Sequence, residues 1–403
     1  MSRPVVIVGA SMGGLRAAET LRKSGYAGEL VVIGDEPHPP YNRPPLSKEV
    51  LAEHVDHAAV AFPLAEILDD VTWKYGSAVV SSDLEHQSLT LASGENVAFE
   101  HLIIATGLRS RRCEFENTPA AGTHAIRSLD DAISLRQELS PGTKVVVYGA
   151  GFIGCEAAAT ATKLGATVTV IGKGSIPLLR PLGEQLAADV MARNEAHGVT
   201  FVMNTTVTNI VGTDRVTGVE LSDGRTLECD VLIEAIGSHP NTEFLAGNDI
   251  DIDSGVHVDT NLRALRKDGT PWPHIYAIGD VARFPIPQFD PQTRRVEHWN
   301  IPTEMARRVG KLVALDAQGL SEERAAEEEK GFTPIPSFWS DQFEVSLLSY
   351  GLLDQADRSE LLEGEAGGDC VYGYFKGDDL VGVCGIGMRS KVMGYRNKVG
   401  LSH

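Results

Sequence analysis

Fully apolar runs alternate along the chain with glycine turns and helix-spaced stretches, and the order of these patterns repeats. Val5-Val-Ile-Val8 is apolar at every position, as in a strand covered on both faces. Gly9-Ala-Ser-Met-Gly-Gly14 follows, then a stretch to Lys23 in which Leu15, Ala18 and Leu21 share one helical face. Gly25 is placed to stop that helix. A second apolar strand, Leu30 to Gly34, runs into Asp35-Glu36. The series returns 140 positions later: Val145 to Tyr148, Gly149-Ala-Gly-Phe-Ile-Gly154, a helix from Glu156 to Leu164, and a strand from Thr167 to Ile171.

The correspondence continues downstream. Ser93 to Gly107 can be laid over Asp223 to Gly237, with thirteen steps from the turn glycine (Gly94, Gly224) to the final glycine in both. Each reads as a hairpin followed by a buried strand, and two copies of one nucleotide-binding module account for the repeat. Trp272 to Gly279-Asp280 predicts one more buried strand, and Thr303 to Ala317 a helix. The charged run Ser321 to Lys330 reads as a solvated helix end or linker. Beyond Gly331 short strands and turns appear, at Phe343–Gly351, Val371–Gly377 and Leu380–Gly385. The expected fold class is α/β: two Rossmann-like dinucleotide-binding domains plus a small α+β C-terminal domain.

The second glycine motif is complete. Gly149, Gly151 and Gly154 allow the tight turn, the close approach of a pyrophosphate, and close helix packing, with the helix N-terminus facing the phosphates. Ile153 sits inside that loop as a further candidate contact. The first motif departs from the pattern, since Ser11 stands where the second glycine belongs, with Gly9, Gly13 and Gly14 around it. A serine is a small addition whose hydroxyl can bond a phosphate. Asp35, at the end of the next strand, is placed to accept from an adenosine ribose hydroxyl. The plainer alternatives are a glycine-rich structural turn and an exposed acidic turn.

Composition narrows the classes. Of 403 residues, 36 are Lys or Arg and 55 Asp or Glu, a net charge of -19. That balance argues against nucleic-acid binding by phosphate neutralisation and against an anionic membrane surface. No apolar run approaches the roughly 18 residues of a membrane span. Met1-Ser2-Arg3-Pro4, followed by only four apolar residues, fits no signal peptide. Five dispersed cysteines, odd in number and without a CxxC pair, suggest a reducing cytoplasm. There is no HExxH and no convincing histidine spacing, so no metal is expected.

A proline-rich loop, Pro39-Pro-Tyr-Asn-Arg-Pro-Pro-Leu-Ser-Lys48, comes after Gly34-Asp-Glu36. With it come, in order, Ala105-Thr-Gly107, Arg127 to Asp131, the second glycine motif with Glu156, Ala235 to Asn241, Gly279-Asp280, Glu297-His-Trp299 and Phe338 to Gln342. Over nearly the whole chain this series resembles the FAD-dependent ferredoxin reductases of the putidaredoxin reductase type, which serve bacterial monooxygenases and dioxygenases. The resemblance implies an FAD domain at 1–112 and 242–325, an NAD(P) domain at 113–241 and a C-terminal interface domain at 326–403. It implies FAD, NADH or NADPH as co-substrate, and an acidic iron–sulfur ferredoxin as partner.

The same resemblance suggests roles for single residues. Arg43 would meet the pyrophosphate, Asp280 beside Gly279 the ribityl hydroxyls, and Lys48 the reactive flavin nitrogen N(5), paired with Glu156. Further contacts fall on Gly13, Val79, Ala105, Thr106, Gly107, Arg127, Gly237 and Trp299, with Trp339 near the nicotinamide. The two tryptophans could instead be core aromatics. Flavin disulfide reductases relay electrons through paired thiolates, and no such pair stands near Leu46-Ser47-Lys48 or beside Cys155. Where an acid would bind a ribose 2′-hydroxyl, the second strand of the NAD(P) module ends in Gly172-Lys173, which suits a 2′-phosphate, with Arg180 as a possible helper; the plainer reading is a surface lysine after a tight turn. Arg307, Arg308 and Lys311 form the expected ferredoxin-docking patch, with Arg294 and Arg295 near it in sequence; the bland reading is a solvated helix face. Rival readings are a reductase of another acceptor, such as rubredoxin or monodehydroascorbate, and a non-catalytic flavoprotein resembling apoptosis-inducing factor.

Overall fold

The computed structural model describes residues 3–116, 118, 119 and 121–400; the Met1-Ser2 start lies outside them. The chain divides into two compact units. One comprises Met1–Asn42, Ala61–Arg109 and His239–Pro336; the other Arg43–Val60, Ser110–Ser238 and Ser337–His403.

The first unit is built on a six-stranded sheet. Val5–Val8 lies at its centre, parallel to Leu30–Ile33 on one side and His101–Ile104 on the other. Thr72–Lys74 extends the sheet beyond Leu30–Ile33, and Pro271–Ala277 beyond His101–Ile104, both parallel. Arg263–Leu265 closes the edge antiparallel. All four positions of Val5–Val8, Leu30–Ile33 and His101–Ile104 are buried, which is why, His101 apart, these strands read as unbroken apolar runs. The chain leaves Val5–Val8 toward one side and later returns to the other, so a switch point opens beside its carboxyl end. Ligands of open α/β sheets bind there.

Helix Met12–Lys23 buries Leu15, Ala18 and Leu21 as the spacing predicts. It packs closely on helix Asn300–Ala317: a Cβ at Gly310 would lie 2.7 Å from Thr20 Cβ. The charged run after it is a short helix, Ser321–Glu328.

The second unit repeats the plan. Lys144–Tyr148 is flanked in parallel by Thr167–Ile171 and Val231–Glu234, with Thr200–Val202 and Thr123–His124 outside them. Helix Phe152–Lys163 starts earlier than Glu156, and every residue from Gly154 to Ala161 is buried. A helix buried all round needs cover on every side. Here the cover includes the Ser47 segment, whose carbonyl accepts from Thr160 Oγ1 at 2.8 Å, and Phe338, whose ring stands 4.8 Å from that of Phe152.

The repeated hairpins are each part of a three-stranded antiparallel sheet: Val79–Asp83, Ser88–Leu91 and Asn96–Ala98 in one unit, Val207–Gly212, Val216–Leu221 and Thr226–Glu228 in the other. Gly94 and Gly224 occupy the same turn position with φ of +87°, a conformation that favours glycine.

The C-terminal sheet has five antiparallel strands, in spatial order Ser337–Gln342, Val345–Gly351, Asp379–Ile386, Cys370–Lys376 and Arg358–Gly364. Leu347, Tyr374 and Ile386 share a core with Leu186 and Val190 of helix Leu179–Ala196. Among the described residues no helix is long and apolar enough to cross a membrane.

Candidate functional site

The first glycine loop is locked by its own backbone. An added Cβ at Gly9, where φ is +120°, would lie 2.1 Å from the Ala105 carbonyl oxygen, and one at Gly14 would lie 1.9 Å from that of Gly9. Gly13 is roomier, its nearest neighbours being Pro302, Ala105 and Ile278 at 3.7–3.8 Å. Ser11 is the extended residue before the helix. Gly34 lets two loops meet, since its Cβ would fall 2.6 Å from that of Ala10, and Asp35 then projects into solvent.

The neighbouring turn is pinned by Asn241. Thr106 Oγ1 donates to the Asn241 carbonyl at 2.7 Å, Asn241 Nδ2 donates to the Thr106 carbonyl at 3.0 Å, and the Asn241 amide donates to Gly107. Gly279, at φ +74°, sits with Pro302 3.5 Å from its ideal Cβ, and Asp280 beside it is half-buried. The structure therefore gathers Gly9–Gly14, Ala105–Gly107, Gly279–Asp280 and the start of helix Asn300–Ala317 at the carboxyl edge of one sheet. Trp299 is 41% exposed and donates to Asn42 Oδ1, so it is not a core aromatic. Val79 is half-buried on the separate three-stranded sheet.

The second glycine loop has the same construction with one informative difference. Cβ atoms at Gly149 and Gly154 would strike Ala235 O at 2.1 Å and Gly149 O at 2.0 Å, yet at Gly151, chain neighbours apart, nothing among the described residues lies within 4 Å. Protein packing does not require glycine at 151, whereas a pyrophosphate approaching the backbone does. Both loops fit the dinucleotides. Ile153 is 46% exposed at the start of the helix, and Gly237, at φ +103°, also faces open space. Gly172 packs on Ala150 as Gly34 packs on Ala10, so exposed Lys173 occupies the place that Asp35 has in the first module. Arg180 is exposed in the first turn of helix Leu179–Ala196.

Within the second unit a buried charge cluster forms around Glu156. Pro44–Ser47 makes a tight turn ahead of the short helix Glu49–Ala52, and Lys48 joins the two. Lys48 Nζ meets Glu156 Oε2 at 2.6 Å, with side chains 14% and 7% exposed. Ser47 Oγ donates to the same oxygen at 2.6 Å, and Ser340 Oγ donates to Oε1 at 2.6 Å. Burying an ion pair is tolerable when its remaining lone pairs are hydrogen-bonded, and here both carboxylate oxygens are. Arg43 donates to the Arg127 carbonyl at 2.6 Å, and the Ser128–Asp131 capping box holds Arg127 in turn. Trp339 is half-buried, opposite Leu348 in the C-terminal sheet. Ser47, Ser340 and Asn241 carry no separate signal in the sequence, although each lies inside a motif block that does.

The thiols are chemically quiet. All five cysteines are free. Burial pushes the Cys113 and Cys155 thiols up to about 12, with Glu234 and Glu156 respectively adding to the effect. Neither offers a thiolate for electron relay near pH 7.

The expected docking patch needs correction. Arg308 is buried; its guanidinium donates to Asn261 Oδ1 and to the Glu327 and Glu328 carbonyls. It lies on the stripe Ile301, Met305, Arg308, Leu312 that faces the core. Lys311 is exposed but pairs with Glu327 at 2.7 Å, while Arg307 is exposed. Arg294 and Arg295 are ion-paired with Asp290 and Glu297. Of the three expected docking residues, Arg307 and Lys311 are exposed, the latter in an ion pair.

Comparison with known proteins agrees with this geometry. Residues 3–306 match the family described as pyridine nucleotide-disulphide oxidoreductase. Rhodocoxin reductase of Rhodococcus erythropolis is 34% identical over 94% of this chain and 85% of its own length. The ferredoxin–NAD(+) reductase component of the biphenyl dioxygenase system of Paraburkholderia xenovorans is 36% identical over 70% of this chain and 68% of its own. Among solved structures, the covalent putidaredoxin reductase–putidaredoxin complex superposes with a TM-score of 0.87 at 27% identity, covering 98% of this chain and 92% of the other. The resemblance read from the motifs thus holds for sequence and fold alike. The chain is an oxidoreductase that belongs to the pyridine nucleotide-disulphide oxidoreductase family, whose redox groups are FAD and NAD(P)H.

Proposed function

We propose that this oxidoreductase passes electrons from NADH or NADPH through FAD to an iron–sulfur ferredoxin that serves a monooxygenase or dioxygenase. The observation that carries the reading is the buried Lys48–Glu156 pair in a chain whose thiols stay protonated. A cation is held ready for flavin chemistry, and no sulfur relay competes with it. When bound, FAD would supply the redox chemistry, accepting hydride from the nicotinamide and giving up electrons one at a time.

The chain's own residues bind, orient and polarise. In this reading the FAD domain is 1–112 with 242–325, the NAD(P) domain 113–241, and the interface domain 326–403. Gly9, Ser11, Gly13 and Gly14 take the flavin nucleotide's pyrophosphate with Arg43, and Asp35 takes its ribose. Ala105, Thr106, Gly107, Val79, Arg127, Gly279, Asp280 and Trp299 line the remainder. Gly149, Gly151, Ile153, Gly154 and Gly237 take the nicotinamide nucleotide, with Trp339 near its ring. Acceptor assays test the reading: NADH- or NADPH-driven reduction of a two-iron ferredoxin is expected to outpace that of rubredoxin or monodehydroascorbate. Preference for either of those acceptors would overturn it.

Lys173 is expected to govern coenzyme choice. It stands where Asp35 stands in the other module, and a cation there attracts a 2′-phosphate instead of accepting from a 2′-hydroxyl. NADPH should therefore be usable, and Lys173→Glu should lower kcat/KM for NADPH by about tenfold, roughly 1.4 kcal/mol. A large preference for NADH that Lys173→Ala leaves unchanged would remove the residue from this role.

Docking should depend on local positive charge, because a net charge of -19 repels an acidic ferredoxin. Arg307→Glu is expected to slow ferredoxin reduction, with an effect that fades as salt screens it. Reduction of ferricyanide should be unaffected. Equal loss with both acceptors would indicate damage to the fold, and no loss with either would place docking elsewhere.

A further inference from the structure

The Glu156 carboxylate sits at the end of a directional chain of hydrogen bonds that begins in helix Leu179–Ala196 and passes along Ser337–Gln342, the edge strand of the C-terminal sheet. Asn194 and Gln342, like Ser340, are fully buried. Asn194 Nδ2 donates to the Val190 carbonyl at 2.9 Å and to Gln342 Oε1 at 3.0 Å. A flipped Asn194 would set its oxygen against the Val190 carbonyl, so the amide orientation is dictated. Gln342 must then present its oxygen to Asn194 and its Nε2 to Ser340 Oγ, at 3.2 Å. With one lone pair taken, the Ser340 hydroxyl has its proton free for Glu156 Oε1, 2.6 Å away. An ionised carboxylate only accepts, so no bond in the chain can reverse.

We propose that Ser340 is a positioning residue for the redox site: through this one-way chain the C-terminal sheet fixes the Glu156 carboxylate, and with it the Lys48 ammonium. The inference rests on the assignment of Lys48 and Glu156 to the flavin. Ser47 and Ser340 grip opposite oxygens of the carboxylate, so losing one lets it rotate on its side-chain torsions. Lys48 would follow it, because Glu156 Oε2 lies at 2.6 Å and its other acceptor, the Pro44 carbonyl, at 3.3 Å. Removing a hydrogen bond to a charged group while leaving the partner buried is a loss worth measuring.

The test uses the FAD-loaded protein. Ser340→Ala should lower the maximal rate of flavin reduction by NADH about five- to tenfold, leave half-saturating NADH unchanged, and shift the flavin reduction potential. Ser340→Thr, which keeps the hydroxyl, should restore both. In a Glu156→Gln background the Ser340→Ala effect should disappear, since the residue acts through that carboxylate. A merely structural serine would change thermal stability but neither potential nor rate, and that outcome overturns the proposal, as does equal slowing in the Glu156→Gln background. Should Ser340→Ala fail to fold or lose FAD, Ser340→Cys, close in size and a weak donor, decides by the same readouts. If Lys48→Met itself leaves reduction unchanged, the underlying flavin assignment has failed; if Lys48→Met is slow and Ser340→Ala is not, this inference alone has.

Discussion

Lys48→Met is expected to slow flavin reduction by NADH about a hundredfold while FAD remains bound, the scale seen when one preorganised donor is removed from developing negative charge. Methionine is unbranched and one atom shorter than lysine, so what it removes is chiefly the charge and the donors. The ammonium lies 2.6 Å from Glu156 in a site nearly closed to water, where its field is weakly screened. The variant also strands a buried carboxylate, which costs several kcal/mol where nothing else satisfies it. Ser47 and Ser340 still donate to Glu156, so the protein should fold with reduced stability. Lys48→Met with Glu156→Gln should recover stability without recovering rate. That split separates electrostatic participation from packing. Wild-type reduction by Lys48→Met would remove the residue from the chemistry.

The second large effect separates folding from binding inside one motif. Gly151 has ordinary extended backbone (φ -87°, ψ -174°) and open space around an added Cβ. Gly151→Ala should therefore melt within about 0.5 kcal/mol of wild type. Half-saturating NAD(P)H should nonetheless rise at least about tenfold, roughly 1.4 kcal/mol, because the methyl group occupies space the pyrophosphate needs. Gly154→Ala should do the reverse. Its Cβ would lie 2.0 Å from the Gly149 carbonyl oxygen, and backbone must move to admit it. Overpacking of that kind costs about 1–3 kcal/mol, read as a lowered Tm. If both variants lose stability equally, Gly151 serves packing and the room beside it has no ligand meaning.

Much of this organisation is legible because it is local. Val5–Val8 and Val145 to Tyr148 announce buried parallel strands, the glycine loops announce the helix behind each strand, and the turn glycines Gly94 and Gly224 share one φ because they share one structural task. The first strand of one small sheet is less visible, since Val79–Asp83 is mostly exposed and carries little hydrophobic alternation. The start of helix Phe152–Lys163 is hard to place from sequence because its apolar residues continue around every side and leave no face to count from.

The site's interior is hidden for a different reason. Glu156 and Ser340 are far apart in sequence, and no local pattern specifies their 2.6 Å bond. The inward turn of Arg308 has a signal that charge counting passes over. Spacing by four, three and four from Ile301 through Met305 and Arg308 to Leu312 puts the arginine on the apolar stripe. An arginine on such a stripe is buried when carbonyls and an amide stand ready to accept from it, as Asn261, Glu327 and Glu328 do.

The most direct test of the central claim is a sequential rapid-mixing experiment on the FAD-loaded protein. Mixing with NADH or NADPH should bleach the flavin absorbance, and a second mixing with oxidised two-iron ferredoxin should restore it as two ferredoxins are reduced for each flavin. Prior alkylation of accessible thiols should change neither phase. Bleaching followed by no electron transfer to any iron–sulfur ferredoxin, or loss of the second phase on alkylation, would contradict the account.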